Sequence, residues 1–495
     1  MTKHNGNPDI LIIGSGMGGA SLANALSGSG LKVQVLERGD YIPRDHRNWD
    51  PKEVFHNGIY RSGERWIDRN GRQFEPNQHY CVGGSTKMYG ACLMRFRPQD
   101  FQAVEHYEGI SPAWPIDYDT IEPWYGKAEA MLGLRGLAGA DPSEGTRSAP
   151  YPHPPIAHDP LIESLKGKLE QSGLHPFPLP SSVQSAPAGG CIRCKTCDGF
   201  PCKIDAKGDA ENRALRPALA DPDISLETNV EVLRLLTTPD GRQIDGVEVR
   251  KDGTSEIRRA GIIVLAAGAI NSALLMQTSA NSAHPDGLAN GSGQLGRNYM
   301  AHHLTAMMFV GPRRNPTIYQ KSMSINDYYW GDGDFKWPMG NIQMLGKLQA
   351  GMLTAEVPFV PKFVMSEIAS RSVDMLAMSE DLPDPDNRVL LDKGRVNLIW
   401  QPNRRLAKSL ARHMRRAGYP LALKKHGGIE TTSHQCGTVK MGSDPATSVL
   451  DPLCRAWEID NLYVVDGGFF VSSAAVNPAL TIAAQALRVG DHIRA

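Results

Sequence analysis

Residues 10–19 read Ile10-Leu11-Ile12-Ile13-Gly14-Ser15-Gly16-Met17-Gly18-Gly19, an apolar run that ends abruptly in glycines. Such a run of β-branched residues and leucine suits a strand buried within a parallel sheet. The glycines fit G-x-G-x-x-G. Gly14 allows the tight turn, Gly16 lets backbone amides approach a pyrophosphate, and Gly19 lets the next helix pack on the strand. Ala20 to Leu26 carries apolar residues at helical spacing, and that helix's N-terminus offers unpaired N–H groups to phosphates. Lys32-Val33-Gln34-Val35-Leu36 reads as a second strand ending in Glu37, eighteen residues past Gly19. An acid there suits the adenosine ribose hydroxyls and repels the extra 2′-phosphate of NADP. Strand, triplet, helix, strand and acid in this order predict a dinucleotide-binding α/β domain, with NAD and FAD both open.

Around this motif lies a chain of 495 residues with 53 Lys+Arg against 53 Asp+Glu and no net charge. A nucleic-acid partner calls for a basic excess that displaces counterions, so none is expected. With 41% hydrophobic residues, wholesale disorder is excluded. The length exceeds what one core usually fills and predicts two domains. No apolar stretch approaches the roughly 20 residues of a membrane span. The first apolar run leads straight into the glycine turn instead of a cleavage site, so a cytoplasmic location is expected.

Three further segments narrow the choice. Residues 79–101 contain Val82-Gly83-Gly84-Ser85; residues 262–272 run from Ile262 through Ala266-Ala267-Gly268 to Ser272; residues 463–487 contain Asp466-Gly467 and Asn477-Pro478-Ala479-Leu480-Thr481. With the glycine triplet and His434-Gln435-Cys436-Gly437-Thr438 they make five ordered motifs, and the chain resembles the glucose–methanol–choline (GMC) flavoprotein oxidoreductases along its whole length. The resemblance implies a Rossmann-like FAD domain with an interleaved α+β substrate domain containing an antiparallel sheet. The FAD domain is expected over 1–105, 185–300 and 440–495, and the substrate domain over 106–184 and 301–439. It implies FAD as cofactor, with Gly83, Gly84, Ser85, Ala267 and Gly268 close to it, Asp466 and Gly467 at its phosphate and ribityl region, and Val232 near adenine. The sequence departs from the family at Tyr89, where many members carry Asn. Lys87 or Met88, depending on how the loop is aligned, stands where relatives with covalent flavin carry the linking His, so non-covalent FAD is expected.

The activity implied is oxidation of an alcohol by hydride transfer to flavin N5. That chemistry needs a base for the hydroxyl proton, and a neutral His suits it near pH 7. His434 fits that role, and Asn477, where relatives carry His or Asn, fits that of the group orienting the hydroxyl. His302 and His303 are adjacent on a strand and point to opposite faces. Both stay outside the catalytic pair, one of them a pocket lining at most.

Cys191, Cys194, Cys197 and Cys202 form C-x2-C-x2-C-x4-C, a spacing that suits thiolate ligation of zinc or an iron–sulfur cluster. A disulfide or simple buried thiols is the plainer reading, and no metal ligand is assigned. An iron–sulfur relay in this segment, passing electrons to a cytochrome partner, is one alternative reading. A non-enzymatic flavin redox sensor is another.

Helices are predicted around 117–135 and 159–173. Alternating segments at 303–309 and 395–400 predict strands of the antiparallel sheet. The basic runs 412–416 and 424–426 read as solvated faces. The run from Gln320 and Lys321 through Asn326, Asp327, Tyr328, Tyr329 and Trp330 mixes amide, charge and aromatic groups, which suits sugar recognition. Polar residues 379–388 add to it. A quaternary-ammonium or sterol pocket would call for a more aromatic or apolar lining. A sugar or glycoside is the expected substrate, with the electron acceptor open.

Overall fold

The computed structural model describes residues 7–184, 190–357, 359–392, 395–398, 407–431 and 433–495. At its centre is a five-stranded sheet in the order Leu462–Val464, Ile262–Leu265, Ile10–Ile13, Val33–Leu36, Ile224–Glu227. Every neighbouring pair is parallel. The apolar run read first is its middle strand, and all four residues are at most 5% exposed, as a strand covered on both faces requires. Helix Met17–Leu26 follows the glycine turn directly. Because Leu462–Val464 lies beside Ile262–Leu265, both ends of the chain build one sheet.

A second sheet of six strands runs Leu421–His426, His303–Val310, Ser372–Ser379, Asn341–Met344, Met323–Ile325, Phe177–Pro178, all antiparallel. One face packs Met307, Phe309, Met344 and Met375 against Leu165 and Leu169 of helix Pro160–Gln171 and Met414 of helix Ala407–Arg416. Methionine, with three rotatable bonds, fills an irregular sheet–helix gap without strain. Arg412, Arg415 and Arg416 lie on the exposed side of helix Ala407–Arg416, as a solvated basic face should. Helix Tyr118–Leu132 begins where the Asp117 carboxylate accepts from the Thr120 amide at 2.8 Å and ends at Gly133.

One strand expectation changes. Arg395–Leu398 belongs to a separate four-stranded sheet with Val389–Asp392, Trp66–Asp68 and Gln73–Phe74. Alternation identifies a strand but not its partner. Residues 399 and 400 of that segment, like Thr432 beside the His-x-x-Gly-Thr motif, lie outside the described residues. Among the described residues no helix is long and apolar enough to cross a membrane.

Candidate active site

The glycine turn meets the turn after Ile262–Leu265 backbone to backbone. Gly14 has φ +104°, and a side chain there would sit 2.4 Å from the Ala266 carbonyl oxygen. A Cβ on Gly19 would lie 2.0 Å from the Gly14 carbonyl oxygen, so Gly19 serves the helix–strand packing expected of it. Gly16 differs: nothing lies within 4 Å of its missing Cβ, and the gap opens into a cradle. Gly84 closes over that cradle, its own missing Cβ only 3.2 Å from the Gly16 Cα.

Glu37 ties these parts together. Its Oε2 accepts from the Ser15 amide at 3.0 Å and the Ser15 hydroxyl at 2.5 Å, and its Oε1 accepts from the Gly39 amide at 2.9 Å. Ser15 Oγ in turn accepts from the Gly83 amide at 3.1 Å. Gly83 therefore anchors its loop from behind, while Gly84 and Ser85 face the cavity. Carboxylate oxygens have further lone pairs, so Glu37, which also lines the cavity, keeps capacity for a ligand hydroxyl. Asp466 makes the second knot. It accepts from the Gly268 amide at 2.9 Å, the Ser272 hydroxyl at 2.5 Å and the Gly468 amide at 2.8 Å. Burial pushes its carboxyl up, against the pull of those three donors.

These turns form one end of a cavity of about 1050 Å³. Pockets for drug-sized ligands run to roughly 1,000 Å³, so this one has room for a dinucleotide and more. Gly14, Gly16, Glu37, Val232, Ala267, Gly268, Asp466 and Gly467 all line it. Val232 reaches it because the Val230 amide bonds the Glu37 carbonyl at 3.0 Å and carries the next strand across the end of Val33–Leu36.

His434 and Asn477 line the same cavity. The segment after His434 is held from two sides: Cys436 and Met300 exchange backbone bonds of 2.9 and 3.0 Å, and the Gly437 amide bonds the Gly467 carbonyl at 3.1 Å. Just ahead of these clamps His434 adopts φ +64°, a left-handed conformation that costs a non-glycine residue about 1 kcal/mol. Asn477 Nδ2 lies 3.4 Å from His434 Nε2, and Asn477 Oδ1 is buried with no partner among the described residues. An unpaired buried acceptor costs about 1–3 kcal/mol, which a ligand donor would offset. Burial first, then His302 and Lys321, hold the His434 imidazole well below its ordinary range. It is therefore neutral at pH 7.

The adjacent histidines separate as their strand dictates. His302 Nδ1 is 3.0 Å from His434 Nδ1, whereas His303 Nε2 turns to Asp381 Oδ1 at 3.1 Å. The sequence reading passed over the first of these contacts, which spans 132 positions and leaves no local signal. It also missed Asp198, which lines the cavity, pairs with Lys321 and accepts from the Gly346 amide. Burial opposes charge on the Lys321 ammonium, but Asp198 keeps it above the usual lysine value.

Of the proposed sugar-recognition run, Lys321 alone reaches this cavity. Gln320 bonds Asp374, Asn326 bonds Asp141, and the Tyr329 hydroxyl donates to Asp100, all inside the protein. Tyr329 and Trp330 line a separate small cleft beside Tyr107 and Phe335. The polar groups of Gln320, Asn326 and Tyr329 satisfy core partners far away in sequence, which a reading of the run alone cannot see. Likewise Glu380 and Asp381 serve the backbone: Glu380 accepts from the Ala474 amide, and the Asp381 carboxylate from the Ala301 amide.

Tyr89 lines the cavity and donates to the Gly208 carbonyl at 2.6 Å. Lys87 turns away into a buried triad with Asp209 and Glu211, at 3.0 and 2.6 Å. Lys207 donates to the carbonyls of Tyr89, Cys197 and Phe200, tying the cysteine segment to the cavity wall. All eight cysteines are free thiols. Among the described residues no group of three or more His, Cys, Asp or Glu side chains is placed to hold a metal ion.

Comparison with known proteins bears on this geometry. Two GMC oxidoreductase family models match, over residues 9–304 and 384–486. Paromamine 6′-oxidase of Streptomyces fradiae is 30% identical, over 97% of this chain and 90% of its own. The fructose dehydrogenase large subunit of Gluconobacter japonicus is 27% identical, over 100% and 99%. The crystal structure of pyridoxine 4-oxidase from Mesorbium loti superposes with a TM-score of 0.65 at 19% identity, over 98% of this chain and 99% of that one.

Proposed function

Because this chain belongs to the GMC oxidoreductase family, whose members are FAD flavoproteins acting on alcohols, we propose that it oxidises a CH–OH group of a sugar or glycoside with His434 as the base. The observation that carries this reading is the pairing of His434 Nε2 with Asn477 at 3.4 Å in the wall of the cavity that the glycine turns close. The residues present fit FAD. The gap at Gly16 is a cradle that a Cβ would fill, and the backbone turns around it suit a pyrophosphate. Gly14, Gly16, Gly84, Ser85, Ala267, Gly268 and Asp466 would hold it, with Glu37 and Val232 toward its adenosine. No histidine stands at 87 or 88, so the flavin is held without a covalent link; acid precipitation should release it into the supernatant.

Oxidising an alcohol removes a hydride from carbon and a proton from oxygen. FAD, when bound, supplies the acceptor of the electron pair. His434, neutral through burial, takes the hydroxyl proton at Nε2. The Nδ2 amide of Asn477 donates to the substrate oxygen beside that nitrogen, and its buried Oδ1 is left to accept from a second substrate hydroxyl. Lys321 and Asp198 add a charged pair and Gln343 an amide to the same wall, groups suited to a hydroxylated substrate. The activities of the relatives, on paromamine and on fructose, support that class.

The test is anaerobic flavin reduction across sugars, glycosides, polyols and simple alcohols. Bleaching by at least one sugar or glycoside is expected, and bleaching by simple alcohols alone would sink the substrate class. Admitting oxygen afterwards tells an oxidase from a dehydrogenase by whether the oxidised spectrum returns.

A further inference from the structure

His302 is buried at 3% exposure and lies behind His434, where it meets two different kinds of partner. Its Nε2 is 3.0 Å from the Ser473 carbonyl oxygen and 3.0 Å from the Ala474 carbonyl oxygen. Its Nδ1 is 3.0 Å from Nδ1 of His434, with the two rings at 82° and centroids 5.0 Å apart. Carbonyl oxygens only accept, so Nε2 of His302 must carry a proton. Burial lowers the His302 imidazole below its ordinary range, so it is neutral and its Nδ1 holds a lone pair. The 3.0 Å contact between the two Nδ1 atoms then forms only if His434 donates. Neutral His434 must therefore hold its proton on Nδ1 and present a bare Nε2 beside Asn477.

We propose that His302 is a positioning residue that fixes the tautomer of His434, and that the carbonyls of Ser473 and Ala474 fix His302 in turn. The inference rests on the base role of His434 given above. The carbonyls are themselves clamped. Ser473 Oγ donates to the Asp381 carbonyl and accepts from the Asp381 amide, both at 3.0 Å, and the Ala474 amide donates to Glu380 Oε1 at 3.1 Å. Ala474 sits at φ +51°, a further left-handed residue at this corner. Strain at both ends of one hydrogen-bond chain, at His434 and at Ala474, fits a geometry held for a purpose. When His434 gains the substrate proton at Nε2, its Nδ1–H continues to donate to His302, whose ring is backed by the two carbonyl dipoles. No proton needs to leave His302, and the wrong tautomer of His434, which would block Nε2, is excluded at the start.

The chain predicts a signature in the unsubstituted holoenzyme. With ¹⁵N-labelled histidine, and His434→Gln to assign the signal, His434 should show its proton on Nδ1 near neutral pH. A proton on Nε2 overturns the proposal, and this measurement needs no His302 variant to fold. In anaerobic stopped-flow, His302→Leu should slow flavin reduction at saturating substrate by about 100-fold, within the range of acid–base effects, while substrate Kd moves less than about threefold. His302→Asn, whose Oδ1 keeps an acceptor near the old Nδ1, should recover to within about tenfold of the starting rate. A normal rate in His302→Leu, or equal losses in both variants with FAD retained, overturns the proposal. His434→Ala separates the two readings: a normal rate there removes the base role itself, whereas an inactive His434→Ala beside a normal His302→Leu removes only the role of His302.

Discussion

One part of the cavity wall is made of backbone, the other of side chains. Around Gly16 the wall consists of three turns pressed together, with Gly14, Gly19 and Ala266 in backbone contact and Glu37 and Asp466 tied to backbone amides. Around His434 it consists of His434, Asn477, Lys321, Asp198 and Gln343, carried on segments from distant parts of the chain. The backbone part is sensitive to added atoms, the side-chain part to removed ones. A cofactor shared by a family can be gripped by geometry common to any backbone, whereas a substrate and its chemistry need particular groups.

The largest effect should come from adding one methyl group in the backbone part. Gly19→Ala puts a Cβ 2.0 Å from the Gly14 carbonyl oxygen, with no flexible atom able to yield. The turn must open, and we expect loss of folded protein, read by circular dichroism and by soluble yield. Gly16→Ala, three positions earlier, should do the reverse. Its Cβ meets no protein atom, so thermal stability without FAD should hold or rise slightly. FAD affinity should fall about 10- to 100-fold, the equivalent of about 1–3 kcal/mol of overpacking against a ligand. Equal behaviour of the two variants would break the division between a glycine that packs and one that cradles.

The side-chain part fails by deletion. His434→Ala should leave FAD bound and the melting temperature within a few degrees, yet slow anaerobic flavin reduction by about 10³-fold, mid-range for a lost general base. A variant that loses its flavin would instead make His434 part of the cofactor grip and blur the comparison. The pH dependence follows from the same wall. His434 acts when neutral, and its ordinary range is lowered by burial, His302 and Lys321, so the acid limb of kcat/KM should fall below pH 6.5. A limb above pH 6.5 would show that burial does not govern this site.

Lys321→Met tests that wall at smaller amplitude. It removes a cation that disfavours the imidazolium and frees Asp198, which favours it, so both changes raise the His434 pKa and move the acid limb upward. Breaking the pair should also cost about 2–3 kcal/mol in urea unfolding. The full cost of a wholly buried pair is not expected, because the Asp198 side chain keeps 24% exposure and its bond to the Gly346 amide. A limb that stays put would remove Lys321 from the electrostatics of the base.

The same division explains what could be read from the chain. Residues 10–37 gave strand, turn, helix and acid because every part of that unit lies within one local stretch, and Gly14, Gly16 and Gly19 each do separate work that spacing reveals. Glu37 was legible as an acid at the strand end, but not as the anchor for Ser15 and Gly39. The pairing of His434 with Asn477 came through family motifs, and the structure brings them within 3.4 Å. The contact of His302 with His434 could not be seen, since alternation along a strand says which residues oppose each other and not what lies on either side. The run 320–330 misled for the same reason. Asn326 and Tyr329 look like surface recognition groups until Asp141 and Asp100, some two hundred positions earlier, are placed against them. Residues 395–398 alternated as a strand should, and joined Trp66–Asp68 instead of the larger sheet.

The smallest effect marks where the side-chain wall ends. Lys425 and Glu356 also line the cavity and pair with each other, yet their side chains are 58% and 56% exposed. Exposed pairs of this kind contribute little, because water and salt screen both charges in either state. Lys425→Ala should therefore change kcat/KM for the best sugar substrate by less than about fivefold, and what change there is should vanish as ionic strength rises past the range where a charge is felt across about 10 Å. Lys321, buried and paired, should keep its effect at high salt. If Lys425→Ala matched Lys321→Met in size and in salt resistance, the rim would be as specific as the depth of the cavity, and substrate recognition would extend outward along Leu421–His426 to the edge of the antiparallel sheet.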